Sequence, residues 1–127
     1  MTNSPSRNGV LLVEHDPDTQ SALVKVIAES GARVVGTGSA EGAIALFDAW
    51  PTGLVVVNDE LPGIGGLEVA RRIHRASPGV PIVLMSRYED EARAVAARLA
   101  GVFAIVAMPF DHSLLADLVR ALVPQLV

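Results

Sequence analysis

The chain contains no cysteine, which excludes disulfides, thiolate catalysis and thiolate metal sites. It has no apolar run near the roughly 20 residues needed to span a bilayer. Its opening, Met1-Thr2-Asn3-Ser4-Pro5-Ser6-Arg7-Asn8, has no hydrophobic core to make it a signal peptide. Basic charge is not in excess: 10 Lys and Arg face 14 Asp and Glu, a net charge of −4, so there is no bulk attraction for nucleic acid. No nucleophile–base pair and no phosphate-binding loop of the glycine-rich kind are visible. These absences lead to the expectation of a cytoplasmic globular domain, not an enzyme, with neither membrane nor nucleic acid as its partner.

What is present is dense in apolar residues. Half of the 127 residues are hydrophobic and 19% are charged, enough to bury the core of one domain. The organising stretch is Val55-Val56-Val57-Asn58-Asp59-Glu60-Leu61-Pro62-Gly63. Three β-branched residues running into a polar corner read as a strand buried on both faces that ends at a sheet's carboxyl edge. Pro62-Gly63 turns the chain, and Gly65-Gly66 leads into a helical pattern running from about Ile64 to Ala76.

The same unit recurs along the chain. A strand over Gly9–Glu14 precedes a helix opened by Asp16-Pro17, whose expected buried stripe is Ala22, Leu23, Val26 and Ile27. A strand over Ala32–Gly36 precedes a helix capped by Ser39, with Ile44 and Phe47 inward. A strand over Pro81–Ser86 is followed by a helix whose first turn, Glu89-Asp90-Glu91, suits the positive end of the helix dipole. A strand over Val102–Ala107 leads through Met108-Pro109-Phe110 to a helix capped by Asp111, with Leu114, Leu115, Leu118, Val119 and Leu122 on one apolar face.

Five strands alternating with five helices predict an α/β fold with a parallel sheet covered on both faces. Right-handed crossovers make it doubly wound, for which the flavodoxin-like strand order 2-1-3-4-5 is one common solution. The expected organisation is a lead over residues 1–8, a single domain over 9–123 and a short tail over 124–127. In such a sheet ligands collect at the carboxyl edge, which makes Asn58 the best-placed residue for any chemistry.

The alternation, the corner Asn58-Asp59-Glu60-Leu61-Pro62-Gly63-Ile64-Gly65-Gly66 and the strand-ending Met108-Pro109-Phe110 resemble a response-regulator receiver domain of two-component phosphorelay signalling. The similarity runs from about Val10 to Val123. The resemblance implies a phosphoacceptor aspartate four residues before the proline, and that position holds Asn58. A neutral amide oxygen is a poor nucleophile and cannot form an acyl phosphate, so phosphotransfer at position 58 is expected to be absent.

The resemblance also implies two adjacent acids that hold Mg²⁺ after the first strand; the matching positions are Glu14 and His15. Imidazole is a ligand that Mg²⁺ disfavours, and Asp16 reads as a helix cap, so Mg²⁺ binding is expected to be weak or absent. The lysine that would pair with phosphoryl oxygens is replaced by Met108, before Pro109. Ser86 keeps the family's hydroxyl at the end of the fourth strand, and Ile105 stands where many receivers carry a switching aromatic. Losing both Asp and Lys neutralises both sides of the site, which suggests a pseudo-receiver acting as a phosphorylation-independent interaction module.

Other readings remain open. Asp59 is a displaced candidate acceptor, although strand alternation turns it away from the face of Asn58. Glu14-His15-Asp16 could be taken for a metal triad, but alternation again separates His15 from its neighbours. His74 and His112 read as solvated helix positions, and Arg71-Arg72-His74-Arg75 as a solvated basic face. A flavodoxin-like cofactor domain is a further alternative, against which His15-Asp16-Pro17-Asp18 is acidic where a phosphate loop should be glycine- or hydroxyl-rich. By the resemblance, Met108-Pro109 is a cis bond. The interaction face, for a sensor kinase, an output domain, another regulator or a second copy, would draw on Arg93, Ala97, Arg98, Phe103, Ile105 and Asp117. With no helix-turn-helix or catalytic segment after the last helix, the chain is expected to be a stand-alone receiver or part of a larger regulator.

Overall fold

The computed structural model describes residues 8–123, so the lead before Asn8 and the tail over 124–127 lie outside the described residues. Strands and helices alternate strictly: β1 Gly9–Val13, α1 Pro17–Glu29, β2 Arg33–Thr37, α2 Ala40–Ala49, β3 Leu54–Asn58, α3 Gly65–Ala76, β4 Ile82–Ser86, α4 Glu91–Leu99, β5 Ala104–Ala107 and α5 His112–Leu122. All strand pairs are parallel and their order is β2-β1-β3-β4-β5, the doubly wound arrangement expected.

β1, β3 and β4 are buried along their whole length, as continuous apolar runs demand when helices cover both faces. The alternating side chains divide between two cores. Leu11, Val13, Val55, Val57, Ile82 and Leu84 pack with residues of α2, α3 and α4. Val10, Leu12, Leu54, Val56, Val83 and Met85 pack with α1 and α5. Each fully buried branched side chain contributes about 1.5–3 kcal/mol, so the sheet centre is the rigid frame on which the polar edge sits.

Four of the five helix starts are fixed by side-chain caps, α3 being the exception. Asp16, Ser39, Asp90 and Asp111 each accept a hydrogen bond from a backbone N–H in the first turn, satisfying donors the helix itself cannot. The fourth helix accordingly begins at Glu91, one residue past its cap. No helix among the described residues is long and apolar enough to cross a membrane.

Three positions differ from the expected faces. Ala22 is exposed, because the stripe of α1 follows the four-residue spacing of Leu23 and Ile27. Leu114 is 43% exposed, because Leu115 and Val119 take the inward positions of α5. Ala97, expected on the interaction face, is buried: it is the position on α4 that meets the sheet.

Candidate functional site

The register places the ends of the strands together. Val13 pairs with both Thr37 and Val57, Asn58 with Met85, and Ser86 with Ala107, so Glu14, Asn58, Ser86 and Met108 arrive at one edge. Among the described residues the buried polar side chains are Glu14, Thr52, Asn58, Asp59 and Ser86, and all but Thr52 belong to this edge. Buried polar groups are tolerated where they bond one another, and these do so in two separate networks.

The corner that follows β3 is shaped by its glycines. Gly65 has a φ of +79°, which a residue with a Cβ rarely adopts. Gly66, the second residue of α3, lies so close to the backbone of Asn58 and Asp59 that a methyl group would collide with it. The N–H of Gly66 donates to the carbonyl of Asp59 at 3.0 Å, which fastens the helix start to the end of the strand.

The first network joins β1 to β3. Asn58 Nδ2 donates to Glu14 Oε1 at 2.7 Å, and Asn58 Oδ1 accepts the N–H of Glu60 at 2.8 Å. Glu14, 1% exposed, has its second oxygen occupied by the N–H of Asp16 at 3.0 Å. The amide plays both parts at position 58, donor to the carboxylate and acceptor from the backbone, which an ionised carboxylate cannot. His15 lies on the rim, about half exposed, with Nδ1 3.7 Å from Glu14 Oε2. Asp16 is turned to α1, accepting from the N–H and hydroxyl of Thr19 at 2.9 and 2.7 Å, bonds that hold its carboxyl below the usual range.

The second network joins β3 to β4 and α4. Asp59 Oδ2 accepts the Ser86 hydroxyl at 2.8 Å, and Asp59 Oδ1 receives the Arg93 guanidinium at 3.2 Å. The Ser86 hydroxyl also accepts the N–H of Tyr88 at 3.0 Å, and the Arg93 guanidinium lies 5.1 Å from the centre of the Tyr88 ring, within cation–π range. Asn58 and Asp59 therefore point to different neighbours, as alternation along a strand requires.

Met108 is partly buried against the core beside α1 and α5, and the Met108-Pro109 peptide is cis. Ile105 is 38% exposed on β5. A groove of about 520 Å³ runs past Met108, Pro109 and Phe110, between Thr19 and Leu23 of α1 and Arg87 and His112. Among the described residues no group of three or more His, Asp or Glu side chains is arranged to hold a metal ion.

Of the residues expected on the interaction face, Phe103, 64% exposed, Ile105, Arg98 and Asp117 are at the surface. Ala97 is not, and Arg93 turns inward to Asp59. Val95 and Leu99, at 42% and 81% exposed, are the apolar residues that sequence reasoning missed there. Their four-residue spacing was the available signal: each lies two residues from Ala97, which turns them to the side of the helix opposite that buried position. His74 is half-buried, its ring close against Gly101, so it is a packing residue as much as a solvated one.

A family model for the response regulator receiver domain matches residues 10–120. The C4-dicarboxylate transport transcriptional regulatory protein DctD of Pseudomonas aeruginosa is 32% identical over 112 residues, covering 87% of this chain and 24% of that protein. The DNA-binding response regulator MtrA of Mycolicibacterium smegmatis is 33% identical over 117 residues, covering 91% of this chain and 50% of that protein. The chain thus spans about a quarter to a half of these curated relatives. Among solved structures, a CheY-like receiver domain protein from Methanospirillum hungatei superposes with a TM-score of 0.87 at 19% identity, covering 94% of this chain and 96% of that one. A two-component response regulator from Clostridium difficile gives 0.86 at 19% identity, covering 93% and 97%. On the family match, its relatives and the fold together, the chain belongs to the response-regulator receiver-domain family.

Proposed function

We propose that this receiver domain signals by phosphorylation-independent contact with protein partners. The observation that carries the reading is the amide of Asn58: at the position where the family's acceptor carboxylate is expected, Nδ2 donates to Glu14 and Oδ1 is bound by the Glu60 N–H. An ionised aspartate could not make the first bond, and the amide oxygen is no nucleophile.

The same bonds argue against Mg²⁺. The ion takes hard anionic oxygens in near-octahedral geometry. Glu14 is the carboxylate at hand, and both its oxygens already serve protein donors. The donor set does not fit the ion, and no step is assigned to it. Met108 likewise offers no charge to a phosphoryl oxygen. Asp59 is the other acceptor candidate, but each of its oxygens is engaged, one by Ser86 and one by Arg93.

Contact would be made through α4, β5 and α5. Val95 and Leu99 on α4, Phe103 just before β5 and Ile105 on it are exposed apolar side chains, with Arg98 and Asp117 also at the surface, and exposed apolar residues of this kind suit a protein interaction surface. Receiver domains in response regulators work with kinases and output domains, and the occupant here is such a partner, or a second copy meeting the same face isologously.

The test is an amide NMR titration with Mg²⁺ and beryllofluoride. The reading expects no saturable shift at residues 58, 59, 86 or 108; a saturable set of shifts at those positions would contradict it.

A further inference from the structure

Among the buried polar groups at this edge, Asp59 is the one that phosphorylation-independent signalling does not itself account for. It is 8% exposed, and an ionised carboxylate at such depth costs several kcal/mol unless it is paired and hydrogen-bonded. Its partners both lie ahead in the chain: Ser86, 27 residues on, closes β4, and Arg93, 34 residues on, is in the first turns of α4.

Between the end of β4 and the start of α4 the chain forms no helix or strand. Residues 87–90 are exposed at the surface, yet their path is determined. The Ser86 hydroxyl donates a hydrogen bond to Asp59 and accepts one from the Tyr88 N–H, and the Tyr88 ring lies beneath the guanidinium that Asp59 holds. One carboxylate thus fixes both ends of the segment.

The helix beyond needs such an anchor. Within its span α4 buries Ala97, a single small side chain, whereas α3 buries Gly66, Val69, Ala70 and Ile73. A helix with so little apolar area against the sheet gains little positional restraint from packing. The same helix carries the exposed apolar side chains Val95 and Leu99.

We propose that Asp59 is a built-in anion that clamps the segment after β4 and sets the position of α4, and with it the interaction face, permanently. A carboxylate supplied by the chain would stand in for an anion delivered by phosphoryl transfer. The functional meaning rests on the phosphorylation-independent reading above; the clamp is tested apart from it. In this account Asp59, Ser86 and Arg93 are positioning residues.

The experiment is amide hydrogen exchange on the whole chain at neutral pH without Mg²⁺, comparing wild type with Asp59→Asn, Ser86→Ala, Arg93→Gln and the Asp59→Asn/Arg93→Gln double variant. In Asp59→Asn and Arg93→Gln, exchange over residues 87–99 should quicken about tenfold or more, while amides of β1 and β3 stay within about twofold. Ser86→Ala should quicken the same residues to a smaller degree. The double variant should be no looser than the looser single one, because both remove the same contact. Unchanged protection over 87–99 would overturn the clamp, as would a loss spread evenly over the sheet. Should Asp59→Asn fail to fold, Arg93→Gln alters the more exposed partner and decides the same question. Beryllofluoride on the wild type is read separately: saturable binding there sinks the phosphorylation-independent reading and leaves the exchange result to judge the clamp.

Discussion

At position 58 one nitrogen stands where a carboxylate would have a second oxygen, and the surrounding bonds depend on it. Asn58→Asp would turn the 2.7 Å donation to Glu14 into two buried carboxylate oxygens facing each other. We expect the variant to lose about 2–3 kcal/mol at neutral pH, from the lost bond and the new repulsion. Two carboxylates so close do not both ionise readily, so the pair holds a proton at a pH where the unfolded chain does not. The penalty is therefore full at neutral pH and above, and fades as pH falls toward the carboxylate range. Urea unfolding at two pH values checks this; a penalty that grows on acidification would refute it. The nature of Asn58, Glu14 and Met108 is legible in the sequence, because the motif assigns a position and the residue type states the chemistry. The partners of Asp59 are not: Ser86 and Arg93 are distant in sequence, and only the sheet order brings β4 and α4 beside the corner.

Elements are legible in the sequence where apolar runs meet strong punctuation, and less so on helices with mixed faces. β3 and the caps Asp16, Ser39 and Asp111 follow from local chemistry. The exposure of Ala22 and Leu114 does not, because a stripe of neighbouring apolar residues leaves its exact centre to tertiary packing. At this scale α3 offers two tests. Gly66→Ala would drive a methyl into the backbone of Asn58, and we expect a cost of about 1–3 kcal/mol with amide shifts centred on residues 58–60. A thermal melt equal to wild type would show that the close approach does not constrain the corner. Glu68 is held by hydrogen bonds from Arg71 and Arg72, which lower its pKa to about 2. A group depressed in this way stabilises the fold above the ordinary glutamate range, and the contribution is lost as pH falls through about 2. In a carboxyl NMR titration Glu68 should therefore be among the last carboxylates to protonate; an ordinary midpoint would mean that the clasp does not persist in solution.

Across the whole molecule, the Asn58–Glu14 network joins β1 to β3, a charged clamp joins the end of β3 to α4, and exposed apolar side chains stand on α4 and β5. The fold and its strand order could be anticipated because periodicity and punctuation agree along the chain. Which of the residues expected at the surface of α4 are exposed could be anticipated only in part, since burial of Ala97 and the inward turn of Arg93 depend on how α4 seats. Leu99→Glu with Phe103→Ser should leave stability within about 0.5 kcal/mol for each substitution, as both side chains are exposed, while weakening association with a partner or a second copy. Sedimentation or pull-down with a known partner checks that, and undiminished association would move the face elsewhere. The central claim, signalling without phosphoryl transfer, is tested most directly by intact mass after incubation with acetyl phosphate and Mg²⁺, with Asn58→Asp/Met108→Lys alongside. The account predicts an unmodified wild type; a wild type that gains one phosphoryl mass, lost again in Asp59→Asn, would contradict it.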